Sequence, residues 1–70
     1  ALSNLAVPAI GASKIKLIRE NSKLSQAVFA AVLNTSISTV QKWEIGEKKP
    51  SGPSLKLLNL IDRKGLEAVL

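Results

Sequence analysis

The 70-residue sequence contains no cysteine, no histidine and no methionine, and only one phenylalanine and one tryptophan. Without cysteine, neither a disulfide framework nor a thiolate metal site can stabilise it. The five acids, Glu20, Glu44, Glu47, Asp62 and Glu67, are scattered along the chain. Hydroxyl side chains are present, but no arrangement places a base beside one to activate it. No phosphate-binding glycine loop and no metal-ligand spacing occurs. The sequence therefore predicts no enzyme, no metal and no cofactor. No apolar run approaches the ~18 residues of a membrane span, so no membrane partner is expected. Residues 1–11 are uncharged and lack the basic start of a signal peptide. The expected location is the cytoplasm, with which the lack of cysteine agrees. The absence of methionine at position 1 leads us to expect a processed chain or a fragment of a longer one.

What the chain has in plenty is aliphatic surface and positive charge. Apolar residues make up 46% of it, which suits close-packed helices. A single domain of this size buries only about 60% of its unfolded surface. Ten Lys and Arg against five Asp and Glu leave a formal net charge of +5. That is the electrostatic footprint of a nucleic-acid binder, or that of a soluble protein kept away from neutrality. Charge alone does not choose between them.

The stretch that decides is residues 24–44, LSQAVFAAVLNTSISTVQKWE, uncharged as far as Gln41. Ser25 is a good N-cap, and Val28, Phe29, Val32 and Leu33 then recur at helical spacing. Ala30 and Ala31 allow a second helix to approach closely. Asn34 tolerates the left-handed conformation that ends many helices. Ser36 offers a second N-cap. Val40 and Trp43 share one face of the helix that follows, while Ser38, Gln41, Lys42 and Ile45 lie on the other at i, i+3, i+4, i+7. One face anchors the helix and the other offers hydrogen-bonding groups outward. A helix-turn-helix needs this arrangement, with the first helix bracing a second that enters the major groove.

Around that unit, residues 1–8 read as a flexible lead-in or the stub of a missing N-terminal region. Residues 9–70 read as the DNA-binding and dimerisation domain. Pro8 suits a first helical turn, and Ile10, Ile15, Leu17 and Ile18 predict a helix over 9–21. Asn21, Ser22 and Lys23 form the break after it. Gly46 fits a helix end, and Pro50 prevents continuation. Ser51 or Gly52 caps the next helix, which carries Pro53 in its first turn and a wide apolar arc from Leu55 to Ile61. Gly65 is its expected stop. Leu66, Val69 and Leu70 then make a short stripe on a last helix that is marginal alone. That stripe is expected to pack on the core, on a second subunit, or on both, and these three residues are the candidate dimer interface. Trp43 and Phe29 are expected in the core, because stacking on bases requires an exposed ring.

Ile15, Ile18, Arg19, Leu24, Ser25, Gln26, Phe29, Ala30, Val40, Trp43, Glu44, Gly46 and Pro50 resemble the Cro/lambda-repressor-like (XRE) helix-turn-helix family in register over residues 15–60. The run SISTVQKWEIGEKKPSGPSLKLLNLI is similar to the DNA-binding domain of HigA-type antitoxins. The resemblance implies an all-α fold, a five-helix lambda-repressor-like domain. It implies a structural salt bridge between Arg19 and Glu44. It places Ile37, Ser38, Gln41 and Lys42 toward base edges. Gln41 can pair bidentately with adenine. Lys42 can donate to guanine or reach a phosphate, and Ile37 can touch a thymine methyl. Gln26 resembles the family's phosphate-contacting glutamine. Ser36, Lys48 and Lys49 are the other candidate phosphate contacts. Asn34 departs from the pattern by standing where glycine is usual, and Ile37 by standing where several phage repressors carry glutamine.

The function so implied is that of a sequence-specific repressor, a homodimer on double-stranded operator DNA. It would be the antitoxin of a HigBA-type module that represses its own operon, with a ribonuclease-type toxin as partner. The alternative is a protein-interaction module of the same fold, with only non-specific affinity for DNA. An RNA binder fits less well, because exposed stacking aromatics are lacking.

Overall fold

Three of the four α-helices in this computed structural model, which describes residues 7–70, end in the same backbone turn. Helix α1 spans Ala12–Asn21, α2 Gln26–Val32, α3 Ile37–Glu44 and α4 Gly52–Lys64. After α1, α2 and α3 come Lys23, Asn34 and Gly46, with φ of 59°, 55° and 82°. In each case the amide of the left-handed residue and the amide after it reach back into the last helical turn. These bonds are Lys23 N to Glu20 O and Leu24 N to Arg19 O, Asn34 N to Ala31 O and Thr35 N to Ala30 O, and Gly46 N to Trp43 O and Glu47 N to Lys42 O. This is the Schellman pattern, which satisfies carbonyls that a helix end leaves without partners. The starts of α2 and α3 are set just as locally. Ser25 Oγ accepts from the Val28 amide at 3.2 Å, and Ser36 Oγ accepts from Thr39 N at 3.1 Å.

The three left-handed positions differ in what they cost. A side chain with a Cβ is disfavoured there by roughly 1–2 kcal/mol, and asparagine less so. A Cβ added to Gly46 would meet only Ala12 Cβ, at an ordinary 4.0 Å, so the penalty there is conformational rather than steric. Gly46→Ala is expected to lower the unfolding free energy by about 1–2 kcal/mol. Lys23→Gly is expected to raise it by up to about 1 kcal/mol, the relief being partly offset by a freer unfolded chain. Urea titration of both variants checks this. Equal signs for the two would refute the assignment of strain to these turns.

The core lies between the helices. Ile15 and Ile18 of α1, Phe29 and Ala30 of α2 with Leu33 just after it, Val40 and Trp43 of α3, and Leu58 and Ile61 of α4 are buried. Helix α3 packs against both α2 and α1, and α4 packs against α1 and the C-terminal turn. Lys14 and Asp62 bridge α1 to α4 at 3.3 Å. Both side chains are well exposed, and such pairs contribute little.

The structure departs from the sequence expectations at both ends. The first helix starts at Ala12 rather than at residue 9, and Pro8 is not in its first turn. Gly11 is the N-cap, with an extended ψ of 170°. Ile10 reaches the core from outside the helix. That backbone is pinned from outside, since Asn59 Nδ2 donates to the Pro8 carbonyl at 2.9 Å and to the Leu55 carbonyl at 3.0 Å. Of the expected lead-in, residues 1–6 lie outside the described residues. The expected fifth α-helix is a single 3₁₀ turn at Leu66–Val69, so the described residues hold four helices and a 3₁₀ turn. Gly65, at φ 86°, breaks the chain direction. A four-residue segment is too short to repay α-helical nucleation, whereas short segments commonly take the 3₁₀ form. Leu17 and Val28, read as members of apolar helical faces, are nearly half exposed.

Candidate nucleic-acid interface

Helix α3 presents two chemically distinct faces. Val40 and Trp43 point into the core, at 0% and 3% exposure. Ile37, Ser38, Gln41 and Lys42 are exposed on the outside. The same helix is closed at its start by Ser36, so its first turn is rigid where Ile37 and Ser38 sit.

The end of α3 is held by an ion pair. Arg19 of α1 grips Glu44 with two parallel bonds, Nε to Oε2 at 2.6 Å and Nη2 to Oε1 at 3.0 Å. A third arginine donor, Nη1, reaches the Leu24 carbonyl at 3.0 Å. The two side chains are 15% and 4% exposed. This fork geometry fixes orientation as well as separation, so α1 sets the angle at which α3 leaves the body. Burial pushes the Glu44 carboxyl up. The hydrogen bonds from Arg19 and Gln26 and the charges of Arg19 and Lys16 outweigh it, and its pKa lies below the usual carboxylate value. The hydrogen bond to Glu44 raises the Arg19 pKa further, against a smaller opposing effect of burial.

The remaining candidate residues are distributed as follows. Gln26, the first residue of α2, is half-buried. Its Nε2 donates to Glu44 Oε1 at 3.2 Å, and its Oε1 accepts from Gln41 Nε2 at 3.5 Å. Ser36 Oγ is hydrogen-bonded to Thr39 Oγ1 at 2.8 Å besides capping α3. Lys48 and Lys49 are exposed in the loop after α3. They line a small hollow of about 210 Å³ together with Thr35, Thr39, Ser51 and Ser54. Leu66 and Val69 are half-buried against the protein's own core, while Leu70 is 79% exposed.

Sequence reasoning missed two things here. It did not see the hydroxyls gathered beside Lys48 and Lys49, which come from three separate segments. Nor did it see that the Gln26 carboxamide is engaged inside the protein; its partners lie 18 and 15 residues away, and no local pattern announces them. The presence of a carboxylate in α3 with no charged neighbour before Lys42 was the one signal available.

The geometry is that of a helix braced by its predecessor, locked at its far end and polar on its free face, in a chain of net charge +5. Comparison with known proteins agrees. A family model described as helix-turn-helix matches residues 15–61, more than half of the chain. Over 54 residues the chain is 41% identical to antitoxin HigA-2 of Vibrio cholerae serotype O1, covering 77% of this chain and 52% of that protein. Over 49 residues it is 39% identical to the uncharacterized HTH-type transcriptional regulator YiaG of Escherichia coli K12, covering 70% of this chain and 51% of that protein. The chain thus spans about half the length of these relatives. Among the described residues no helix is long and apolar enough to cross a membrane. Its braced recognition helix and the match across it mean that the chain belongs to the XRE-type helix-turn-helix family of DNA-binding transcription regulators.

Proposed function

We propose that this chain, with residues 9–70 as its DNA-binding and dimerisation unit, is the operator-reading part of a cytoplasmic repressor of the HigA antitoxin type. It acts as a homodimer on a palindromic operator at its own promoter, and the partner of the whole protein is a ribonuclease-type toxin. The observation that carries this reading is the outer face of α3. Four exposed side chains capable of base contact stand on a helix whose other face is buried and whose end is clamped by Arg19. The identity to HigA-2 supports the antitoxin part. Ile37, Ser38, Gln41 and Lys42 read base edges, with Lys42 donating to guanine. Ser36, Lys48, Lys49 and the second N–H of Gln26 meet phosphates, and the hydroxyl-lined hollow beside the two lysines supports a phosphate seat there. Exposed Leu70, with the uncovered edges of Leu66 and Val69, meets the second copy.

Selection of bound duplexes from a randomised pool at near-physiological salt tests this. A palindrome with half-sites about one helical turn apart is the expected product. Lys42→Ala should relax preference at one position. Lys48→Ala should weaken all sequences alike and lower the salt slope by about one. Binding to every duplex equally, lost as salt rises, would overturn the repressor reading in favour of a protein-interaction module.

A further inference from the structure

We propose that Lys23 is a phosphate-binding residue of the DNA interface, and that its strained backbone is kept for that contact. The proposal rests on the reading of α3 as the helix that enters DNA. Among the described residues only Lys23 and Asn34 carry a side chain at positive φ, 59° and 55°. Asparagine tolerates that region, whereas lysine has no side-chain bond that favours it. The bonds that close the turn, Lys23 N to Glu20 O and Leu24 N to Arg19 O, are made by backbone, and glycine would make them equally well. Nothing inside the protein offsets the strain. Lys23 is exposed. The ion pairs among the described residues are Lys14–Asp62 and Arg19–Glu44, and Lys23 is in neither. Uncompensated backbone strain clusters at functional positions.

The surroundings of the turn point to the ligand. Arg19 Nη1 holds the Leu24 carbonyl at 3.0 Å while the rest of the guanidinium grips Glu44. One side chain thereby fixes the turn that carries Lys23 against the end of α3. Beside this clamp lies a hollow of about 520 Å³, lined by Lys16, Ser25, Gln26, Ile45 and the Arg19–Glu44 pair. It borders a different side of α3 from the hollow of Lys48 and Lys49, which runs along Thr39 and Trp43. A helix in the major groove has a phosphate backbone on either side. Lys48 and Lys49 serve one of them. On the other side Arg19 is neutralised by Glu44, which leaves Lys16 and Lys23 as the uncommitted cations. A lysine ammonium on its flexible stem meets a phosphate as a point charge.

The experiment measures urea stability and DNA affinity on the same variants of the whole chain, Lys23→Gly, Lys23→Arg and Arg63→Gln. Affinity is followed from about 50 to 200 mM salt, on the duplex that wild type selects from a randomised pool and on a scrambled one. Lys23→Gly should be at least as stable as wild type, so that lost binding cannot come from unfolding. It should bind both duplexes about 5-fold more weakly near physiological salt, with a salt slope lower by about one. Lys23→Arg keeps the charge and should bind as wild type does. Arg63→Gln removes an equal charge from the end of α4 and should keep the wild-type slope. An unchanged slope for Lys23→Gly would overturn the proposal. So would an equal drop for Arg63→Gln, which would make the effect one of net charge. A loss confined to the selected duplex would make Lys23 a base contact instead. A less stable Lys23→Gly would remove the strain on which the proposal stands. If wild type selects no sequence, the reading of α3 fails first, a result distinct from any behaviour of Lys23.

Discussion

Replacing Arg19 with alanine is expected to lower the unfolding free energy by about 3–5 kcal/mol, because it strands a buried carboxylate. Glu44 is 4% exposed, and after the substitution only the Gln26 amide remains as a side-chain donor to it. A domain of this size is stable by roughly 4–10 kcal/mol in all, so the loss is a large part of the total. Urea unfolding measures it. A cost below about 1 kcal/mol would mean that the pair behaves as an exposed one. The companion double variant Arg19→Met with Glu44→Leu separates stability from orientation. Removing both charges should recover most of the stability, yet base preference should not return, since the fork that sets the angle of α3 is gone.

The same pair predicts a pH dependence with a definite sign. The folded pKa of Glu44 lies below its unfolded value. The unfolded chain therefore binds this proton more readily, and stability rises with pH across that interval. The contribution is complete above the ordinary glutamate pKa and is lost as pH falls through the depressed folded value. Thermal midpoints of wild type should fall on acidification through this range more steeply than those of Glu44→Gln. Parallel curves would show that Glu44 is not the group responsible.

Trp43→Ala is expected to cost a further class of energy, about 3–5 kcal/mol, by emptying the core beneath the recognition helix. The ring is 3% exposed and lies beside Val40 at 0%. The cavity would open between α3 and the helices that brace it, so the outer face loses its support together with the core. Circular dichroism melts of Trp43→Ala and Trp43→Phe measure the effect, the second variant being expected to lose less because it keeps an aromatic ring. Stability within about 1 kcal/mol of wild type, combined with lost DNA binding, would instead make Trp43 a contact residue.

Much of this protein is written in short windows of its sequence. Ser25 and Ser36 cap helices because a hydroxyl one position outside the helix can reach an amide three residues on. Asn34 and Gly46 end helices because each tolerates positive φ. The spacing of Val40 and Trp43 against Ser38, Gln41 and Lys42 declares which side of α3 is buried and which is free. Each of these follows from backbone geometry within one turn. Lys23 shows the limit, since the break around it is legible but its left-handed backbone is not, lysine having no preference for that region.

Other features depended on partners distant along the chain. Ile10 joins the core from outside any helix, where α4 offers Asn59 to the Pro8 carbonyl, not because of any local signal. Leu66 and Val69 turn toward their own core once Gly65 redirects the chain, whereas the apolar stripe alone fits a partner as well. Leu17 and Val28 stand out of the core although their periodicity admits them. The Gln26 carboxamide, a generic polar group in the sequence, becomes the link between a buried charge and the outer face of α3. The sequence by itself determined α2 and α3, their ends and the polarity of the recognition helix, through interactions spanning one turn. Only the tertiary structure decided which polar groups would be consumed inside and which left free, because a hydrogen-bond donor finds its partner through space.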